Sequence, residues 1–508
     1  MRISWFAAGL ALLLVSGMAW SAGEEEEGAA GAERVTITYM RSEHPSSPID
    51  PEAPVYQAIR EHNNIDLKIE AIPGGDFNAK VQLLLGTAQL PDIMRLTQRQ
   101  VNDFADAGVF LPLNDPVQTQ APALWAKIAA ISDAKKTFVD GTMYYVPQLN
   151  SFKLLNGPVP NIRRDLLNDL GLEMPDNFEE LFEVLATFKR EFPDSQPWTN
   201  RSGTRNLLNR SAFPMGIGWS IHWVPSEDRW VYGTVKPEFR SVLEYFRRAY
   251  EEGVLDPDFA INSSSQWHEK LGSGKSLFYY DNMTFALNYT LSLRQVKPDA
   301  VFWPVPVMEN QYGERRNYFY SKHWLTSGFI VSAASEHHDR IMSLFNWMAD
   351  GDGEIITNWG NEGEHWHRVD GEIEALPSVL DTYRDASDPQ RAMRAALGTG
   401  LLQFALIVDQ KPIYYYDPPE VSDWYAQINS DPNMILPVLP PPFNEEERER
   451  LKRLITDVDN ILNPALDGFI IGTLPMEDFD SVMQQAIEAG ALEIEEIYNA
   501  AEARTRQS

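Results

Sequence analysis

Branched and aromatic residues alternate with polar ones over residues 34–40 (RVTITYM) and again over 65–72 (IDLKIEAI), the period-two pattern of half-buried strands. Between and after these runs the period lengthens. Val55, Ile59 and His62 fall on one helical face of residues 52–62, and 77–85 repeat that amphipathic pattern after the turn Pro73-Gly74-Gly75. Residues 90–94 (LPDIM) open a third short strand. Strands alternating with helices of this length predict a parallel sheet with right-handed crossovers. Ligands sit outside the carboxyl ends of the strands in such sheets, so the loop 95–99 is a natural contact site. Further on, residues 140–147 read as a turn feeding a strand, 161–171 as a helix closed by Gly171, and 177–189 and 240–252 as helices. Residues 331–350 begin as a strand and continue as a helix through Ile341, Leu344, Phe345 and Met348. After Pro440-Pro441-Pro442 the chain is mostly helical, with Glu445, Glu446 and Glu447 favouring a helix N-terminus. No fixed-period repeat is visible.

The N-terminus departs from this pattern. Arg2 precedes a continuous apolar run over residues 6–15 and a small-residue stretch over 16–22, the three-part plan of a cleaved secretory signal peptide, expected over 1–21. The run is too short for a membrane span. Residues 22–33, rich in Glu, Ala and Gly, read as a disordered acidic linker. Composition narrows the remaining choices. With 508 residues and 44% hydrophobic content the chain has ample core material for two large lobes or about three domains. A net charge of -30 argues against nucleic acid or anionic lipid as partner. The absence of cysteine removes disulfides, thiolate zinc sites, iron–sulfur clusters and a cysteine nucleophile.

The order of segments resembles the extracellular solute-binding proteins of ABC importers, family 1, and within it the large branch of alginate-binding proteins and related lipoproteins. Five stretches carry the likeness: residues 85–93 (LGTAQLPDI), 103–113 (DFADAGVFLPL), 161–175 (NIRRDLLNDLGLEMP), 360–366 (GNEGEHW) with 369–371 (VDG), and 468–480 with 496–501 (EIYNAA). The resemblance implies an α/β fold of the type II periplasmic binding protein kind, two α/β lobes joined by a hinge with extra C-terminal helices. Residues 34–150 plus about 315–350 are expected to form the first lobe, and 155–310 plus about 360–508 the second lobe with those helices. Two departures stand out. There is no cysteine to carry the lipid of the lipoprotein members, so a periplasmic or secreted protein without a lipid anchor is expected. The stretch 190–197 (REFPDSQP), where alginate-binding members carry a calcium loop, offers no run of alternating oxygen ligands.

A sugar presents a C–H face and a rim of hydroxyls, so its site needs flat aromatics edged by amides, carboxylates and Arg. Arg95 and Gln98 lie in the loop after the third strand. Gln148, Asn150 and Ser151 sit at the first interlobe crossing that the resemblance implies. Trp219 and Trp223 (with Trp230) lie in a Gly- and Pro-punctuated stretch, against the bland reading that they are core. Tyr280, Asp281 and Asn282 resemble the strand end where maltodextrin binders place a stacking aromatic. Trp324 and Trp359 are second-lobe or hinge aromatics. Arg201, Arg205 and Arg210 are either a clamp for a uronate carboxylate or a solvated helix face. His365 and His367, spaced i, i+2, do not match the i, i+4 pair of a helical zinc site. No nucleophile elbow, zincin, phosphate-loop or dinucleotide motif occurs, so neither a catalytic set, a metal nor a cofactor is expected. The expectation is a monomeric periplasmic receptor that closes on a carbohydrate, an oligosaccharide rather than a peptide, and delivers it to the transmembrane subunits of an ABC permease. Its alternatives are a secreted glycoside hydrolase and a sensor subunit of the same fold.

Overall fold

The computed structural model describes residues 33–507 apart from 45, 46, 152, 153, 387 and 417–419. The expected signal peptide and the acidic linker up to residue 32 lie outside the described residues. The first lobe starts with strand β1 (Val35–Glu43), which pairs in parallel with β2 (Ile65–Pro73) over its full length. Strand β3 (Ile93–Thr97) joins the other edge of β1, also in parallel, and β4 (Val146–Asn150) follows after a helical excursion. Helices Pro54–Asn63 and Gly74–Thr87 make the crossovers between these strands, as the two periodicities require.

The chain then crosses to a second lobe, whose sheet centres on β5 (Pro158–Arg163). A hairpin of β6 (Ile221–Val224) and β7 (Arg229–Tyr232) lies on its flank. Strands β8 (Phe278–Asn282) and β9 (Phe302–Pro304) run antiparallel on either side of β5. After β10 (Asn317–Tyr318) the chain returns to the first lobe as β11 (Trp324–Val331), antiparallel to both β3 and β4. A second hairpin, β12 (Trp366–Val369) with β13 (Glu372–Ala375), precedes β14 (Ile407–Val408), which pairs in parallel with β4. The first sheet therefore has the order β14-β4-β11-β3-β1-β2. Strand β15 (Met434–Ile435) pairs with β10 once the chain has crossed back. Residues 360–408, which the sequence assigns to the second lobe, end in the first sheet: Phe404, Leu406 and Ile407 join the core built by Ile37, Phe329 and Phe345.

Alternation explains both sheets. In β1, Ile37 and Tyr39 face the core made with Phe329 and Phe345, while Met40 faces the opposite core with Met94, Leu96 and Ile330. In β8, Phe278 and Tyr280 point to the core lined by Trp198 and Phe246, and Tyr279 to the one with Trp267 and Phe302. The C-terminal helices Glu445–Ile471, Phe479–Glu488 and Ala491–Gln507 cover the second lobe through Leu454, Val458, Phe469 and Ile494. The helix expected from residue 161 starts only at Arg164, because 161–163 are claimed by pairing with β8 and β9. Gly171 closes it in the left-handed region, at φ 63°.

After helix Phe178–Glu191 the Lys189 Nζ donates to the carbonyl oxygens of Pro193 (2.6 Å) and Ser195 (2.8 Å). A side-chain ammonium thus holds the loop 192–196 by its carbonyls. No cluster of three or more His, Asp or Glu side chains suited to a metal occurs among the described residues. No helix among them is long and apolar enough to cross a membrane.

Candidate functional site

Three strands from two lobes end at one cleft. β4 delivers Asn150, β14 delivers Val408 and Gln410 just beyond it, and β8 delivers Asn282. In open α/β sheets this crevice outside the strand carboxyl ends is where ligands sit. The cavity measures about 230 Å³. Its second-lobe wall is shaped locally: Asn282 Oδ1 accepts from Thr284 N (3.0 Å) and Oγ (2.8 Å), an Asx turn that opens helix Phe285–Arg294 and aims Phe285 and Asn288 at the cleft. The returning crossing supplies Tyr320, Ser321, Lys322 and Trp324. Helix Pro389–Leu397, capped by Asp388 and started by Pro389, supplies Gln390, Arg391 and Arg394. Asn288 joins the two walls, donating to Asp388 Oδ2 (3.1 Å) and accepting from Gln390 Nε2 (3.3 Å). The cleft thus offers aromatic faces in Phe285, Tyr320 and Trp324, amides in Asn150, Asn282, Asn288 and Gln410, and cationic groups. That combination suits a ligand with flat apolar faces and a polar rim.

Charge around the cleft is organised in two layers. Behind Phe285, Arg201 grips the buried Asp281 with Nε (2.9 Å) and Nη2 (3.2 Å), and Arg210 approaches the same carboxylate at 3.7 Å. Burial opposes the charged form of Asp281, but the Arg210 and Arg201 charges outweigh it and hold the carboxyl below its ordinary range. Arg201 also lies 4.9 Å from the Trp267 ring centroid and 5.1 Å from that of Phe285, and Arg210 5.5 Å from that of Tyr320. At the cleft wall Arg391 sits 5.8 Å from the Phe285 centroid and 3.3 Å from the Asp388 carboxylate. The field reaches two histidines. Burial, then the charges of Arg391 and Arg201, lower His44 and His268 to about 4. Tyr289 Oη and His268 Nδ1 are 2.6 Å apart.

Of the residues singled out from the sequence, Asn150, Asn282 and Trp324 line this cleft. The others lie elsewhere. Tyr280 is 5% exposed inside the second-lobe core, because strand alternation turns it away from the strand end. Asp281 is spent on Arg201 and Arg210, so those two arginines are paired internally. Arg205 meets Asp459 at the surface (2.9 Å). Gln148 is fully buried in the first sheet, donating to Ala405 O (2.8 Å), and Ser151 N donates to Val408 O (3.0 Å). Arg95 donates to Ser327 Oγ (2.8 Å) and Gln98 to Lys136 O (3.4 Å), both outside the cleft lining. Trp219 packs 6.2 Å from Phe239, and Trp223 sits edge-on to Trp230 at 5.6 Å with Arg506 5.3 Å from its ring. Trp359 is buried and donates to Asp409 Oδ2 (3.0 Å), and His365 Nδ1 accepts from Asn361 N (2.9 Å).

Phe285, Asn288, Tyr320, Lys322, Arg391 and Arg394 escaped the sequence reading. Arg391 and Arg394 carried a usable signal: two cations three apart, hence on one face, in a short helix begun by Asp388-Pro389.

Comparison with known proteins agrees with this architecture. The chain is 23% identical to lipoprotein LipO of Bacillus subtilis (strain 168), with 97% of each chain covered. It is 22% identical to the polygalacturonan/rhamnogalacturonan-binding protein YtcQ of the same strain, covering 94% of this chain and 93% of that one. Among solved structures, the alginate-binding protein AlgQ2 without calcium ion superimposes with a TM-score of 0.81 at 17% identity, over 94% of this chain and 99% of the other. The model of the bacterial extracellular solute-binding proteins matches residues 46–354. With two sheets bridged by crossing segments and a cleft at their strand ends, the chain belongs to that family.

Proposed function

We propose that this chain is the substrate-binding component of an ABC importer, taking an oligosaccharide between its lobes and delivering it to membrane permease subunits. The observation that carries this is the cleft itself, where Phe285, Tyr320 and Trp324 supply ring-sized apolar faces beside six amide side chains. Binders of polygalacturonan, rhamnogalacturonan and alginate among its relatives support the ligand class. Closure draws its energy from contacts that both walls make only when ligand is present. The protein binds without turnover, as a monomer, and is exported by its apolar N-terminus to the periplasm or medium. Thermal-shift measurement with oligosaccharides, peptides and amino acids tests the ligand class, because a ligand that binds only the folded state raises its stability. An oligosaccharide should raise the melting temperature and be recovered intact. A shift with peptides alone, or cleavage of the sugar, overturns the reading. Recovery in the detergent phase rather than in osmotic-shock fluid or medium overturns the soluble, exported form.

A further inference from the structure

We propose that the cleft selects an acidic oligosaccharide, with Arg394, Arg391 and Lys322 receiving carboxylates carried on its sugar rings. This rests on the carbohydrate reading above and narrows it. The first ground is charge distribution. The whole chain carries -30, yet no Asp or Glu lines the cleft among the described residues, while two arginines and a lysine do. A wall that excludes the commonest charge type of its own chain is complementary to an anion.

The second ground is Arg394. Two other sequestered guanidiniums, in the second lobe, are matched to carboxylates: Arg163 is forked on Asp165 (2.8 and 2.6 Å) and Arg201 on Asp281. The Arg394 side chain makes no hydrogen bond or ion pair with any described residue, its Nη2 is buried without a partner, and the Asp409 charge acts on it only from beyond ion-pair distance. The chain makes room for it. Gly400 lies against the guanidinium at φ +78°, and a Cβ there would run into Nη2. Burial lowers its pKa to about 10, the mark of a charge kept from water. An unpaired guanidinium in a partly dry wall is unfavourable until an anion joins it, and its planar fork matches a carboxylate.

The third ground is the set of neighbours. Arg391 is only shared with Asp388, which also accepts from Asn288 across the cleft. Lys322 is exposed at the rim and makes no ion pair among the described residues. The charges of Arg391 and Arg201 add to burial in lowering His44 and His268. Phe285 and Trp324 would then carry the sugar faces, and the cations their acid groups.

Isothermal titration of the full chain with galacturonate and mannuronate trisaccharides, the methyl ester of the former and maltotriose tests this. The ester keeps every ring and hydroxyl but loses the charge. The acid form of at least one uronate should bind at least tenfold more tightly than ester or maltotriose, and lose affinity as salt rises. Arg394→Gln and Lys322→Gln should each weaken the acid form while leaving the ester unchanged. Lys322 is exposed, so its variant keeps the test open if Arg394→Gln unfolds. Equal or better binding of neutral sugar or ester, or a folded Arg394→Gln/Lys322→Gln double variant that binds the acid like the parent, overturns the proposal and leaves the carbohydrate reading in place. Binding of no saccharide overturns that reading, and this proposal with it.

Discussion

At the scale of single residues, exposure at the strand end separates binding from stability. Trp324 lines the cleft and Tyr280, from the second lobe, is core. Trp324→Ala should cost about 2 kcal/mol of oligosaccharide affinity, some thirtyfold, with the ligand-free protein still folded. Tyr280→Ala should instead cost about 3 kcal/mol or more of folding stability, as expected for emptying a core aromatic site. Titration calorimetry paired with urea unfolding distinguishes the two, and reversed effects would refute the assignment. The histidines set a pH dependence. His44, His222 and His268 are all lowered from 6.5 to about 4, burial being the largest cause in each. Between those values the unfolded chain takes up protons that the native state refuses, so stability falls as pH drops from about 6.5 towards 4. Above 6.5 these groups contribute no slope. Melting temperatures across pH 4.5–8 check this, and His222→Gln should flatten the acidic limb.

At the scale of elements, β11 shows how a strand is locked by a neighbour. Its register against β4 shifts between Trp324 and Gly328, and a Cβ at Gly328 would collide with the Val146 carbonyl. Gly328→Ala should therefore destabilise the first lobe by about 1–3 kcal/mol, read by denaturant unfolding. No change would mean that the sheet relaxes there at no cost. Period and caps made most elements legible. Helix Phe178–Glu191 begins at the expected Asn177, whose Oδ1 accepts from Glu180 N (2.9 Å), and buries Phe178, Leu181, Phe182, Leu185 and Phe188 on one face. The segment 161–163 was not legible. Asn161, Ile162 and Arg163 carry no pattern that distinguishes a short strand buried on both faces from the first turn of a helix.

At the scale of the molecule, the chain passes between the two sheets three times: between β4 and β5, between β10 and β11, and between β14 and β15. The C-terminal helices add a tie away from these crossings. Arg448, buried in helix Glu445–Ile471, reaches Asp140 Oδ2 (2.9 Å) and Asp106 Oδ2 (3.1 Å) of the first lobe while Nη1 donates to Phe443 O (2.7 Å). Both aspartates are half exposed, so solvent screens the pairs and their contribution is modest. Arg448→Met should lower stability by about 1 kcal/mol and loosen the lobes, seen as a larger radius of gyration in ligand-free X-ray scattering. Unchanged scattering would show that the crossings alone set the lobe arrangement.

Sequence by itself determined the alternating strands and helices of the first lobe, the helical C-terminus and the family likeness, because each of these is written in local periodicity or in short ordered motifs. It could not determine the lining of the cleft. Asn150, Asn282 and Arg394 are remote in sequence and meet only where β4, β8 and helix Pro389–Leu397 converge. Nor could it reveal which aromatic is free. Tyr279 and Tyr280 face opposite cores because both sides of β8 are covered, and Phe285 reaches the cleft only because the Asx turn at Asn282 ends the strand. Charge behaves the same way. Arg201 and Arg394 are alike as letters, and only the fold gives one of them a carboxylate and leaves the other at the cleft wall with its Nη2 unpartnered.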